Sequence, residues 1–118
     1  MFEARTRRKQ ANRMHEEGVA LSEAGDKAGA LAKYRAALEL DFDRPSTLYN
    51  VGLIYKYQSA WQESFRFNER AYELRPDDEA TAWNLAIAAT ALRGLGHRPV
   101  GLELPGDEDH ARRYLHRG

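Results

Sequence analysis

Residues 45–78 read PSTLYNVGLIYKYQSAWQESFRFNERAYELRPDD, and residues 11–44 follow the same pattern at a constant offset of 34 positions. The positions that match are glycines and apolar residues: Gly18 with Gly52, Leu21 with Tyr55, Ala37 with Ala71, Leu40 with Leu74. Residues 79–93, EATAWNLAIAATALR, repeat the first half of the pattern once more. A fixed period of this length is typical of a chain that stacks copies of one supersecondary unit.

Each half of the unit carries apolar residues at helical spacing, so each unit is predicted to be a pair of helices. The chain is therefore predicted to be all-α, with helices over residues 3–24, 27–41, 45–57, 61–74 and 79–93. Gly25 ends the first helix, Asp26 and Asp78 cap later helices, and Pro45 fits a first helical turn. The corner between the third and fourth helices is predicted at Ser59.

This repeat is similar to the tetratricopeptide repeat, a helix–turn–helix unit of 34 residues with the pattern W-x2-L-G-x2-Y, A-x3-F and P. The matching residues are Gly18, Ala30, Tyr34 and Ala37 in the first repeat, and Leu48, Gly52, Tyr55, Ala71 and Pro76 in the second. The chain departs from the pattern at Met14, Ser64 and Asn68. The resemblance covers residues 11–93 and implies a right-handed α-solenoid of two full repeats and the first helix of a third.

Small residues mark the expected contact between the two helices of a repeat. Gly18, Gly52 and Ala86 recur where the first helix should touch the second, and a larger side chain would push the helix axes apart. Asn68 falls on the second helix of its repeat. If it is buried it must find a hydrogen-bond partner, because an unpaired buried amide costs about 1–3 kcal/mol.

The repeat pattern ends before the last part of the chain, which divides it into residues 1–93 and residues 94–118. Glycines and prolines exclude a continuous helix as far as Gly106, and the alternation of Val100, Leu102 and Leu104 predicts an extended segment. A short last helix over residues 108–116 is predicted to follow. We expect this part to fold back as an irregular cap on the repeats; the alternative is that it contacts another chain.

Composition favours a single soluble domain. The 118 residues include no cysteine, which removes disulfides, thiol catalysis and cysteine-ligated zinc. The first ten residues, MFEARTRRKQ, lack the apolar core of a secretory signal, and no stretch is long enough to span a bilayer. We therefore expect a cytoplasmic protein without membrane contact.

Charge is unevenly distributed although the formal net charge is zero. The first 13 residues contain one acid, Glu3, and five cations: Arg5, Arg7, Arg8, Lys9 and Arg13. Cations are unfavourable at a helix start, so this segment is either a solvated, frayed helix start or a contact for phosphate or an acidic partner. Because a neutral chain is a poor candidate for general nucleic-acid affinity, a nucleic-acid partner is not expected.

In the tetratricopeptide family the first helices of successive repeats line a concave groove. The resemblance places three sets of residues there: Asn12, His15, Glu16, Val19 and Ser22; Tyr49, Asn50, Leu53, Lys56 and Tyr57; Ala80, Trp83, Asn84, Ile87 and Ala91. Helical spacing also puts each set on one face of its helix. The residues selected as a peptide- or protein-binding site are Tyr49, Asn50, Leu53, Lys56, Trp83, Asn84 and Ile87. Aromatic rings would supply contact area, and the two asparagines would bond a peptide backbone. The alternative is that Trp83 and Tyr49 pack under the C-terminal part.

One function of that family is excluded by the residues present. Its co-chaperones hold a C-terminal carboxylate tail with a clamp of lysines, asparagines and an arginine. The corresponding positions here are His15, Val19, Asn50, Ala80 and Asn84, of which only Asn50 matches. Without the cations, the two carboxylates of such a tail have no charge partners.

The sequence contains no recognisable metal-binding, phosphate-binding or catalytic motif. His97, His110 and His116 are too unevenly spaced for a metal site. We find no phosphate-binding loop and no Ser-His-Asp arrangement, so neither a cofactor nor an enzymatic activity is expected.

The sequence thus predicts a small adaptor or scaffold that holds a protein or peptide segment. Two alternatives stay open. The first is a homodimer formed by self-association through apolar surface on the fifth helix, at Leu85, Ala88, Ala89 and Leu92. The second is nucleic-acid contact through the basic N-terminus.

Overall fold

The computed structural model describes residues 2–97, and the side chains from residue 3 onward. This part of the chain forms five helices and contains no strand, which confirms the all-α prediction. The helices are α1 Phe2–Glu23, α2 Lys27–Leu40, α3 Pro45–Tyr57, α4 Trp61–Leu74 and α5 Glu79–Gly94. The predicted bounds of α3 and α4 are met at both ends, and those of α1, α2 and α5 differ by one residue at most.

Local chemistry explains where the helices begin and end. The Asp26 carboxylate accepts a hydrogen bond from the Gly29 amide at 2.9 Å and caps α2, and Asp78 accepts from the Ala80 amide and caps α5. Gly25, with φ of 90°, turns the chain between α1 and α2. Ser59 has φ of 57° at the corner between α3 and α4, a conformation that few residues other than glycine adopt.

Successive helices pack against each other, and α3 also contacts α5. α1 and α2 approach closely at Gly18, where an added Cβ would lie 2.6 Å from Cε1 of Tyr34. The equivalent contact between α3 and α4 joins Gly52 and Asn68, and both partners are shifted by 34 positions. Ala86, the third residue of this series, is exposed among the described residues. The sequence therefore located the helix contacts of the first two pairs.

The buried side chains form two clusters. The larger one joins α2, α3 and α4 through Ala30, Tyr34, Leu38, Leu48, Val51, Ile54, Tyr55 and Ala71. The smaller one joins α4 and α5 through Phe65, Leu85, Ala88, Ala89 and Leu92. Neither helix of a pair buries its apolar face alone, so the free energy of folding depends on stacking of neighbouring pairs.

A set of polar contacts crosses between the first two helix pairs. Arg44 donates from Nη2 to Oδ1 of Asn12 at 2.7 Å and from Nε to Oγ1 of Thr47 at 3.2 Å. Arg70 of α4 pairs with Asp43 at 2.7 Å. These contacts tie the turn between α2 and α3 to α1 on one side and to α4 on the other.

His15 belongs to the same set, because its Nδ1 lies 2.8 Å from Oγ1 of Thr47. Burial, and then the neighbouring charge of Arg44, lower the pKa of His15 below its ordinary value of 6.5, while Glu16 opposes them. The folded protein therefore binds a proton at this site less readily than the unfolded chain.

We expect the free energy of unfolding to fall as the pH drops below about 6.5, the unfolded value, and toward the lower folded pKa of His15. Above that window the ring is neutral in both states and contributes no pH dependence. Urea denaturation at several pH values between about 5 and 8 measures the slope. His15→Gln keeps a hydrogen-bonding group and should flatten the curve there; an unchanged curve would contradict the assignment.

The C-terminal predictions lie outside the described residues. They are the extended segment with Val100, Leu102 and Leu104, and the last helix over residues 108–116. Within residues 2–97, no helix combines the length and apolar character needed to cross a membrane.

Candidate functional site

A groove of about 420 Å³ lies between the C-terminal halves of α1 and α3 and the middle of α2. It is lined by Val19, Ser22, Glu23, Lys27, Tyr34, Asn50, Leu53, Ile54, Tyr57 and Gln58. Five of these residues belong to the sets placed in a groove by the sequence: Val19, Ser22, Asn50, Leu53 and Tyr57. This volume is large enough for one or two amino-acid side chains.

The walls of this groove are mainly apolar. Val19 of α1 and Leu53 of α3 occupy equivalent positions, 34 residues apart, and both are half-buried. Ile54 closes the wall behind them, and the ring of Tyr57 is 74% exposed at the edge. A site of this composition favours an apolar side chain over a charged one, because its walls cannot replace the hydration of a charge.

Two polar groups meet on the floor of the groove. Nδ2 of Asn50 donates to the Tyr34 hydroxyl at 3.4 Å, which is a long hydrogen bond. Burial raises the pKa of Tyr34 above its ordinary value of 10.0; the bond from Asn50 opposes this shift, and the charge of Glu23 adds to it. The hydroxyl is therefore protonated at neutral pH and can donate its own hydrogen.

One end of the groove carries charges of both signs. Nζ of Lys27 donates to the hydroxyl of Ser22 at 2.7 Å and to its carbonyl at 3.2 Å, which holds the lysine against α1. Glu23 stands beside them as the acid of this rim. This end can therefore orient a polar backbone or a charged neighbour of the apolar group.

Lys56 and Asn84, two of the predicted site residues, bond each other. Nζ of Lys56 donates to Oδ1 of Asn84 at 3.1 Å and lies 5.6 Å from the centre of the Tyr57 ring. Asn84 is only 4% exposed, so its amide links α5 to α3. A ligand could bind Oδ1 of Asn84 only after the hydrogen bond from Lys56 is broken.

Tyr49 lies in a separate, smaller recess. This recess has a volume of about 170 Å³ and is bounded by Pro45, Ser46, Tyr49, Asn50, Arg75 and Asp78. Asn50 borders both cavities and so lies between them.

The predicted site residues on α5 do not join the groove. Trp83 is 67% exposed and Ile87 is half-buried, and neither lines the larger cavity. The structure therefore brings Asn50 and Leu53 together in the groove, and leaves Tyr49, Trp83 and Ile87 outside it.

The surface predicted for self-association is not exposed. Leu85, Ala88, Ala89 and Leu92 pack against Phe65 in the smaller cluster and are at most 6% exposed. The prediction that they would form free apolar surface is wrong, because α4 covers this face of α5.

Five lining residues were not placed in the groove by the sequence: Glu23, Lys27, Tyr34, Ile54 and Gln58. The sequence identified Tyr34 as a match to the repeat pattern; in the structure it is buried and lines the cavity. The spacing of apolar residues along α2 predicts the helix face on which a side chain lies. It does not predict whether that side chain borders a cavity formed with neighbouring helices.

Comparison with known proteins gave no match, either to the models of protein families or to curated protein sequences. Among residues 2–97, no three His, Asp or Glu side chains are grouped so that they could hold a metal ion. The function must therefore be argued from the groove itself.

Proposed function

We propose that the chain is a tetratricopeptide-like repeat protein, a right-handed array whose groove holds a segment of a partner protein. It is a non-catalytic adaptor of the cytoplasm in this proposal. The 34-residue recurrence of Gly18–Tyr34 and Gly52–Asn68 contacts supports the repeat architecture. The apolar groove of about 420 Å³ between α1 and α3 is the observation that carries the binding function.

The groove favours a particular kind of ligand segment. Its apolar walls, Val19 and Leu53, suit one aliphatic or aromatic anchor, since buried anchors contribute most of the affinity at such sites. The Tyr34 hydroxyl and the Asn50 amide can bond the backbone beside this anchor. We therefore place the binding site at Val19, Asn50, Leu53 and Tyr57.

Peptides selected from a random library on the immobilised protein test this proposal. We expect the selected peptides to share an apolar anchor, and Leu53→Ala to weaken their binding by about tenfold or more, as loss of an anchor contact typically does. Titration calorimetry with one selected peptide gives the dissociation constant, and the melting temperature shows whether the variant is folded.

Arg35→Ala is the matched control, because Arg35 is exposed on α2 and does not line the groove. It should leave the dissociation constant unchanged. Trp83→Ala decides whether α5 takes part, since only a site that extends to α5 predicts weaker binding. Selection of no peptide, or peptide binding that Leu53→Ala leaves unaltered, would refute the groove as the binding site.

Self-association is a second candidate function, supported by one observation. Trp83, Ala86 and Ile87 stand at neighbouring positions on α5, and the Trp83 ring is largely exposed. Measurement of molecular mass at several concentrations tests it. A mass equal to that of one chain at every concentration would remove this candidate.

A further inference from the structure

The first turns of α1 extend beyond the helix that packs against it. Each residue from 3 to 10 is exposed, and from residue 3 onward Ala11 is the first buried residue of α1. We call residues 3–13 the basic arm and residues 14–97 the body. At about 1.5 Å per residue, the exposed part of the arm spans roughly 12 Å.

The arm carries five cations that have no acidic partner among the described residues. They are Arg5, Arg7, Arg8, Lys9 and Arg13. Ion pairs of the described part lie elsewhere, on Lys33, Arg44 and Arg70. The positive charge of the arm is therefore not neutralised within the described structure.

Four of these cations share one side of the helix. With about 100° between successive residues, Arg5, Arg8, Lys9 and Arg13 fall within an arc of about 140°. Ala11, which is buried, points away from this arc. The cations thus form a stripe along one side of α1, and Asn12, which lies within the same arc, accepts a hydrogen bond from Arg44 of the body.

The zero net charge of the chain conceals a separation of charge. Residues 1–13 hold five cations and one acid, a net charge of +4. The body holds nine Lys and Arg against thirteen Asp and Glu, a net charge of −4. The body, with its net charge of −4, repels nucleic acid, whereas the arm, with its net charge of +4, attracts it.

The uncharged residues of the arm indicate which polyanion fits. Within residues 3–13 they are Ala4, Thr6, Gln10, Ala11 and Asn12, so this stretch presents no large apolar side chain; the apolar residues Met1 and Phe2 precede it in the sequence. Membrane insertion needs apolar side chains, and the core of a protein interface is enriched in aromatic residues and methionine, which this stretch lacks. A phosphate backbone needs only cations and hydrogen-bond donors, because affinity comes from counterion release.

We propose that the basic arm binds the phosphate backbone of nucleic acid without sequence specificity. The stripe of Arg5, Arg8, Lys9 and Arg13 makes the contacts, with arginine forks on phosphate oxygens. The acidic body is repelled by the same phosphates, so the protein approaches nucleic acid with the arm first.

Fluorescence anisotropy with a labelled duplex of about twenty mixed-sequence base pairs and the full chain tests this proposal. Four phosphate contacts predict that the logarithm of the dissociation constant rises with the logarithm of salt concentration at a slope of roughly 3 to 4. Between about 50 and 200 mM NaCl, the affinity should fall roughly 100-fold. A flat salt response, or no binding at the lowest salt, would overturn the proposal.

A matched pair of variants locates the contact. Arg5→Gln/Arg8→Gln/Lys9→Gln should reduce the slope to about 1 and weaken binding at least about tenfold at low salt. Lys33→Gln/Arg35→Gln/Arg75→Gln removes the same charge from the body and should leave both quantities nearly unchanged. Far-ultraviolet circular dichroism checks the helix content of each variant, and equal losses in the two variants would overturn the assignment to the arm.

Competition distinguishes the other polyanions. Unlabelled duplex should displace the probe, whereas poly-glutamate at equal charge concentration and vesicles of phosphatidylcholine with phosphatidylserine should not. Displacement by poly-glutamate as efficient as that by duplex would reassign the arm to acidic proteins, and the same result with vesicles would reassign it to membranes. Salt-sensitive self-association without duplex binding would reassign it to the body of a second copy.

Discussion

Leu48→Ala is expected to lower the free energy of unfolding by about 3 kcal/mol, within the 2–5 kcal/mol typical of a buried leucine. Leu48 is fully buried in the larger cluster, between residues of α2 and of α4. The substitution would leave a cavity at the junction between the two helix pairs, where neither pair can close it alone. The melting temperature should fall by more than about 10 °C, and urea denaturation followed by circular dichroism measures the energy.

Leu53→Ala is the control for this prediction. Leu53 lies one and a half turns further along α3 and is only half-buried in the groove, so fewer of its contacts are lost. Leu53→Ala should lower the free energy of unfolding clearly less than Leu48→Ala does. Equal costs for the two variants, or less than about 1 kcal/mol for Leu48→Ala, would show that the junction does not hold the helix pairs together.

Helix bounds and helix contacts could be predicted because their causes are local. The capping carboxylates of Asp26 and Asp78 act within three residues, and Pro45 restricts its own backbone. Gly18 and Gly52 recur at the period of the repeat. This recurrence predicts a close approach of the second helix at each glycine, without identifying the residue that it contacts. Periodicity therefore carried the all-α fold and the pairing of α1 with α2 and α3 with α4.

The site was predicted in part, because its floor and its accessibility depend on neighbouring helices. Val19, Asn50 and Leu53 were placed in the groove by the resemblance, and helical spacing puts them on the corresponding faces of α1 and α3. Helical spacing cannot show that Tyr34 of α2 lines the same cavity. It also cannot show that Lys56 donates a hydrogen bond to the side-chain oxygen of Asn84. Both contacts depend on the distance between the packed helices, which is determined by the side-chain volumes on both helices.

The same reason explains the error on α5. Leu85 and Leu92 were expected on a free surface because no second helix of a third repeat could be found in the sequence. The preceding helix α4 covers them instead through Phe65. The face that stays exposed is that of Trp83, which the resemblance to the tetratricopeptide repeat assigned to the groove.

Gly52→Ala should destabilise the protein by about 1–2 kcal/mol, although alanine is the better helix former by about 1 kcal/mol. The new Cβ would lie 2.9 Å from Cγ of Asn68 and closer still to its Nδ2. Asn68 cannot move away easily, because it is fully buried and donates to the Ser64 carbonyl at 2.9 Å. Steric overlap in the packed core therefore outweighs the gain in helix propensity.

A double-mutant cycle with Asn68→Ala separates the two effects. Without the Asn68 amide the overlap disappears, so Gly52→Ala should become neutral or stabilise the protein by up to about 1 kcal/mol. The interaction energy between the two sites is then about 2 kcal/mol, measured from urea denaturation of all four proteins. Gly94→Ala is a control without steric overlap, since no atom of the described part lies within 4 Å of its added Cβ; because Gly94 is the last residue of α5, its gain in helix propensity should be smaller than that at Gly52. Additive effects of Gly52→Ala and Asn68→Ala would mean that close approach of α3 to α4 does not depend on this contact.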